Sequence, residues 1–270
     1  MSETRASLEP SAAEDPAKAL QSWWDRDGPF RALHRVAPVR LAFIRSRLAA
    51  HFGRDPLSLS PFAGLRLLDI GCGGGLAAEP MARLGFRVTA VDADPLALAA
   101  AKAHAESSGL RIDYRLGKAE SPARSGERFD AVLALEIVEH LDDPAPFFAA
   151  LPGLLDQRGA FIGATLNRNA RSFAFAILGA EYLLRWIPPG THDWRRFLRP
   201  SEFVLALRRN GLLVTELAGM SYDPLSAAWS LSGDLAVNYL VMAVKREEAP
   251  GSTVGRRDPR DAAEFDPFVG

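Results

Sequence analysis

Glu136, Glu139 and His140 stand within five residues of one another, where an apolar run ends. Two carboxylates and an imidazole suit a divalent ion such as Mg2+ or Zn2+, with coordination positions left over for a substrate. An ion so placed can take both oxygens of a catechol and lower the pKa of a phenol, which is about 10 unperturbed. The same spacing also suits a plainer arrangement, in which Glu139 and His140 open a solvated loop and His140 is a lone general base. Spacing alone leaves these readings level. Leu135, just before the triplet, reads as a pocket wall rather than a reacting group.

A second cluster lies upstream, at Asp69-Ile70-Gly71-Cys72-Gly73-Gly74-Gly75. Glycines between a strand and a helix permit a sharp turn and close approach to a ligand, with amide N–H groups at the helix start. The dinucleotide fingerprint is incomplete, because its sixth position is Leu76, and no Gly-Lys-Ser/Thr follows to make a phosphate loop. Asp92 ends the next β-rich run 21 residues after Gly71, where a carboxylate can accept both hydroxyls of a ribose. Asp94 competes for that role but also suits capping the following helix. The G-x-G-x-G spacing after Asp69 resembles the S-adenosylmethionine loop of Rossmann-like methyltransferases. In that class Asp69 would lie near the amino end of the methionine moiety, and Ala119-Glu120 where adenine is contacted. Arg40 can offer a two-pronged guanidinium to the cofactor carboxylate.

The elements that must position these groups alternate along the chain. Strands are predicted at 66–70, 86–94, around 111–117, 129–136, 159–166, 212–219 and 237–245. Helices are predicted at 75–85, 95–109, 143–155 and 200–211, with Pro95 suited to a first turn and Ser201 to a cap. Strands alternating with such helices predict a seven-stranded, mostly parallel, doubly wound α/β sheet, preceded by N-terminal helices. Ligands of such sheets sit beyond the carboxyl ends of the strands, and both clusters fall there. Paired Trp23 and Trp24 read as packing anchors.

The chain has 270 residues, 48% of them hydrophobic and 24% charged, an ordinary globular composition with ample core. Its net charge of -1 disfavours a nucleic-acid partner. The single cysteine, Cys72, excludes an internal disulfide and a cysteine-based zinc cluster, and fits a reducing cytoplasm. The start of the chain does not read as a secretory leader. Residues 1–14 and 246–270 read as disordered tails around a domain at 15–245. Within it, 168–199 interrupts the alternation with an apolar helical stretch after strand five, and holds six arginines against two acids. Such a segment suits either a core-packed lid or a helix lying on an anionic membrane surface through residues 170–190.

Further motifs extend the likeness over residues 17 to 245: Trp23-Trp24-Asp25, Leu33-His34-Arg35, Thr165-Leu166-Asn167-Arg168-Asn169, Gly179-Ala180-Glu181-Tyr182 and Gly190-Thr191-His192-Asp193. With the glycine loop and Glu136-x-x-Glu139-His140, the chain resembles the ubiquinone-biosynthesis O-methyltransferases, a class I methyltransferase family. The resemblance implies S-adenosyl-L-methionine as cofactor, held by Arg40, Gly71, Asp92 and Leu135. It also implies a divalent metal at Glu136, Glu139 and His140, and a polyprenyl phenol or catechol as acceptor. A peripheral position on the inner face of the membrane, within a ubiquinone-biosynthesis complex, would follow. Ala37 departs from the family's usual Asn before the proline. Two rivals are a methyltransferase for a soluble phenolic metabolite, and a cofactor-binding membrane-associated scaffold.

Overall fold

The computed structural model describes residues 16–118, 126–173, 193–226 and 228–245. Two helices precede the sheet, α1 (Pro16–Trp24) and α2 (Arg31–Phe52). Helix α2 continues through Pro38 and stops at Gly53, whose left-handed φ of 61° lets its N–H turn back onto the Ala49 and Ala50 carbonyls.

The alternation then runs β1 (Arg66–Ile70), α3 (Ala78–Arg83), β2 (Arg87–Asp92), α4 (Pro95–Ser107), β3 (Asp113–Leu116), β4 (Phe129–Leu135), α5 (Ala145–Leu154) and β5 (Leu155–Leu166). After the inserted segment come α6 (Pro200–Arg209), β6 (Leu212–Asp223), β7 (Ala228–Ser232) and β8 (Asn238–Lys245). Asp94 caps α4, its side chain accepting from the Leu96 N–H, with Pro95 in the first turn. Ser201 does not cap α6. The Glu202 carboxylate instead accepts from the Arg199 N–H.

The sheet order is β3-β2-β1-β4-β5-β8-β6-β7. Strands β1 to β5 pair in parallel, whereas the β5–β8, β8–β6 and β6–β7 pairings are antiparallel. The sheet therefore has eight strands rather than the seven predicted. Strand β6 runs past residue 219 to Asp223 and turns back, so that Gly219–Asp223 pairs with Ala228–Ser232. That short edge strand is polar and largely solvated, and carries no apolar run to announce it.

Strand residues alternate between two cores, one on each face. Leu67, Leu133 and Ile162 pack with Phe43, Leu48 and Met81 on the α2–α3 side. Leu68, Val132 and Phe161 pack with Phe147, Leu151 and Phe203 on the α5–α6 side. Burial on both faces explains why β1 and β4 read as continuous apolar runs. Strand order reverses between β1 and β4, which opens a crevice at their carboxyl ends. Both expected tails, residues 174–192 of the insert, and Ala119 and Glu120 lie outside the described residues.

Candidate functional site

The glycine loop leaves β1 at the mouth of this crevice. Four of its amides bond within the protein. The Gly71 and Cys72 N–H groups donate to the Val91 carbonyl at 2.8 and 3.2 Å, and that of Gly75 to the Cys72 carbonyl at 3.0 Å. The Gly73 N–H donates to Asp92 Oδ2 at 2.7 Å. Glycine is needed here for space and for backbone sign. A Cβ at Gly73 or at Gly74 would lie 2.5 Å from the Trp23 ring, and φ is +50° at Gly73.

Helix α1 supplies that ring. Trp23 stacks on Phe30 with centroids 3.7 Å apart, and Trp24 stacks on His104 of α4 at 3.4 Å. The Trp24 indole N–H donates to the Gly74 carbonyl at 3.1 Å. His104 in turn meets the buried Glu79 carboxylate at 2.7 Å. The paired tryptophans are packing anchors, as predicted, and what they anchor is the lid of the glycine loop.

Asp92 ends β2 with both oxygens engaged. Oδ1 accepts from the Asp94 N–H at 2.9 Å while Oδ2 holds Gly73. Each carboxylate oxygen has a second lone pair, so this anchoring is compatible with accepting two further hydroxyls. Asp69, on β1, is 2% exposed, and its Oδ2 has no partner among the described residues. Burial pushes its carboxyl up to about 7, with the Asp92 charge adding to the shift and Arg40 opposing it. Burial likewise raises the Cys72 thiol, which makes it a poor nucleophile.

Arg40 comes from α2 and Glu136 from the end of β4, and the two meet at 2.6 Å. Arg40 is the one lysine or arginine among the buried described residues, and its Nε lacks a partner among them. Glu136 has φ +57°, the one positive value outside glycine among the described residues. A left-handed residue with a Cβ costs roughly 1–2 kcal/mol, offset here by the ion pair and by the Glu136 N–H donating to the Ala164 carbonyl at 2.9 Å. Glu139, in the following 3-10 turn (Val138–His140), is 3% exposed. Its Oε2 accepts from Thr165 Oγ1 at 3.0 Å, and its Oε1 is buried without a partner among the described residues. Burial, then the neighbouring Glu136 charge, holds the Glu139 carboxyl well above the usual range.

The crevice therefore brings together Arg40, Asp69, Glu136 and Glu139, with Asp92 beside them and half-buried Leu135 at the end of β4. It does not bring in His140, which is exposed. No group of three or more His, Cys, Asp or Glu able to hold a metal ion forms among the described residues. The expected metal site at Glu136, Glu139 and His140 is therefore not shown among the described residues. Arg40 already neutralises Glu136, Thr165 holds one oxygen of Glu139, and the imidazole lies in solvent's reach. Thr165 as the partner of Glu139 was not legible beforehand, because the two are 26 residues apart. Asn169, by contrast, has a structural role, capping the turn at Ala170–Ser172 and donating to the Ala236 carbonyl at 2.7 Å.

Residues 68–163 match the family model described as a methyltransferase domain. The ubiquinone biosynthesis O-methyltransferase of Methylobacterium sp. (strain 4-46) is 52% identical over 82% of this chain and 89% of its own length. The proteins of the same name from Paramagnetospirillum magneticum and Dinoroseobacter shibae are 50% and 53% identical, each over 83% of this chain and 90% of their own. The magnesium protoporphyrin IX methyltransferase of Synechocystis PCC 6803 with bound SAH is 16% identical and superposes with a TM-score of 0.58 over 87% of this chain and 95% of that one, a likeness of fold.

Proposed function

The chain belongs to the ubiquinone biosynthesis O-methyltransferase family, and on that premise we propose how its own residues carry out the reaction. It is an S-adenosylmethionine-dependent O-methyltransferase that methylates a hydroxyl of a polyprenyl phenol or catechol. The observation that carries the chemistry is the pairing of buried Glu139 with half-buried Glu136 beside Arg40 and Asp69 at the carboxyl ends of β1 and β4.

Two orphaned buried atoms, Asp69 Oδ2 and Arg40 Nε, fit the ammonium and carboxylate of a bound methionine moiety. Asp92 fits the ribose. Gly71 and Gly73 keep the loop thin, and Leu135 contributes apolar wall. S-adenosylmethionine supplies a methyl group made electrophilic by its sulfonium. Glu139, once ionised, is placed to accept the acceptor's hydroxyl proton. The freed oxygen pair forms the O–CH3 bond as the C–S pair returns to sulfur. The positive charge disappears in that step, so a pocket poor in water favours it. No step here is routed through a metal ion; among the described residues no group of three His, Cys, Asp or Glu able to hold one forms. Residues 170–190, apolar and flanked within 168–199 by further arginines, are proposed to meet the membrane surface where a polyprenyl tail resides. Among the described residues no helix is long and apolar enough to cross a membrane.

Mass spectrometry of a short-prenyl catechol incubated with protein and S-adenosylmethionine tests the reading, before and after chelation. A gain of one methyl that survives chelation assigns deprotonation to the carboxyl pair. A gain that vanishes with chelator and returns with Mg2+ or Zn2+ gives that role to an ion. Absence of any gain, with cofactor bound, refutes the acceptor.

A further inference from the structure

Arg40 is the one buried cation among the described residues of a crevice that holds several carboxylates. Its Nη2 is engaged by Glu136 at 2.6 Å and its Nε is buried and unpartnered. Asp69 lies within its field. A zwitterionic cofactor brings one more carboxylate to this place, and no other buried lysine or arginine among the described residues can receive it. Glu136 is held in the left-handed region at φ +57° at the corner where β4 ends, so its side chain has a conformation that its backbone alone would not favour. Its other neighbour is Glu139, with a buried oxygen that lacks a partner among the described residues.

We propose that the Arg40–Glu136 ion pair is a latch between the two halves of the site. The cofactor carboxylate takes Arg40, Glu136 is released to accept a hydroxyl of the acceptor, and the acceptor binds second. The inference rests on the reading that Arg40 receives the cofactor carboxylate, and it goes beyond it by making acceptor binding conditional on that contact. The released Glu136 and the orphaned Glu139 oxygen then offer two acceptors side by side, which matches the two adjacent hydroxyls of a catechol. Arg40 is here a positioning residue that acts through Glu136.

The test is calorimetric titration of the full chain with a short-prenyl catechol, in three states: alone, with S-adenosylhomocysteine, and with the decarboxylated analogue of S-adenosylhomocysteine, which keeps the amine. No transfer takes place in any of them. Catechol binding is expected to tighten at least about fivefold with S-adenosylhomocysteine, the lower end of usual site-to-site coupling, and to stay at its starting value with the analogue. Reciprocity requires the catechol to tighten S-adenosylhomocysteine by the same factor. In Glu136→Gln the latch is already open, so S-adenosylhomocysteine binds more tightly and the coupling disappears. Equal catechol affinity in all three states overturns the latch, as does tightening by the decarboxylated analogue equal to that by S-adenosylhomocysteine. The comparison of ligands needs no variant, so a folding defect in Glu136→Gln leaves it intact. Failure of S-adenosylhomocysteine to bind at all overturns the methyltransferase reading and the latch together, whereas binding without coupling overturns the latch alone.

Discussion

The Trp24 indole donates a hydrogen bond to the carbonyl of Gly74, fifty residues further along the chain, at 3.1 Å. That contact ties α1 to the loop that leaves β1, and the Trp23 ring covers the same loop from above Gly73 and Gly74. The order of the glycine loop thus depends on a helix that precedes the sheet.

Trp24→Phe should keep the stacking on His104 and lose the bond to Gly74, at about 1 kcal/mol. Gly74→Ala should do more damage, because its Cβ would lie 2.5 Å from the Trp23 ring. Thermal melting and S-adenosylhomocysteine affinity together check this. Both variants should weaken cofactor binding, Gly74→Ala more strongly, and cofactor affinity equal to wild type in both would detach α1 from the site.

Asp69 makes cofactor binding sensitive to pH. Its carboxyl is held up to about 7 when buried, so its protonated form is stable in the cofactor-free protein. Below about pH 7 a proton must therefore leave before the carboxylate can face an ammonium, and affinity for S-adenosylhomocysteine should weaken as pH falls from about 8 to 6. The stability of the cofactor-free protein runs the other way. The folded pKa lies above the unfolded one, so the native state binds more protons, and stability is lost as pH rises through about 7. Asp69→Asn should flatten both profiles. Titrations in buffers of differing ionisation heat should detect the released proton, and cofactor affinity independent of pH would contradict the placement of Asp69.

The basic, apolar insert should carry the protein to membranes. Flotation with vesicles containing anionic lipid is expected to retain the full chain and to lose a variant lacking residues 170–190. Retention should fall with added salt, because part of the attraction is electrostatic. Equal flotation of both forms would leave the insert as a lid alone, as for a soluble phenolic acceptor.

The β–α alternation, the turn at the glycine loop, and Asp94 as a helix cap were legible because each rests on local spacing: burial on both faces makes an apolar run, and a Pro after an Asp marks a helix start. The pairing of Arg40 with Glu136 was not, since the two are 96 residues apart and meet only once α2 packs across the sheet. Each had been given a separate ligand, one a cofactor and the other a metal. The three residues Glu136, Glu139 and His140 looked like one cluster because they are adjacent in the chain. The 3-10 turn at Val138–His140 sends Glu139 inward and leaves His140 exposed, which spacing could not reveal. The glycine loop is a subtler case. Its composition announced close approach correctly, but much of what approaches is Trp23, Ile137 and Tyr114. Strand β7 was missed because an edge strand paired on one side needs no apolar run.

In the proposed mechanism Glu139 is the residue on which the chemistry turns, being buried, paired with Thr165 and beside Glu136. The decisive measurement is single-turnover methyl transfer to a short-prenyl catechol by Glu139→Gln at saturating S-adenosylmethionine, with S-adenosylhomocysteine affinity measured alongside. Loss of a positioned base predicts transfer slowed by about 10²- to 10⁴-fold, with cofactor affinity within a few-fold of wild type. Transfer at close to the wild-type rate would contradict the assignment of the proton to the carboxyl pair.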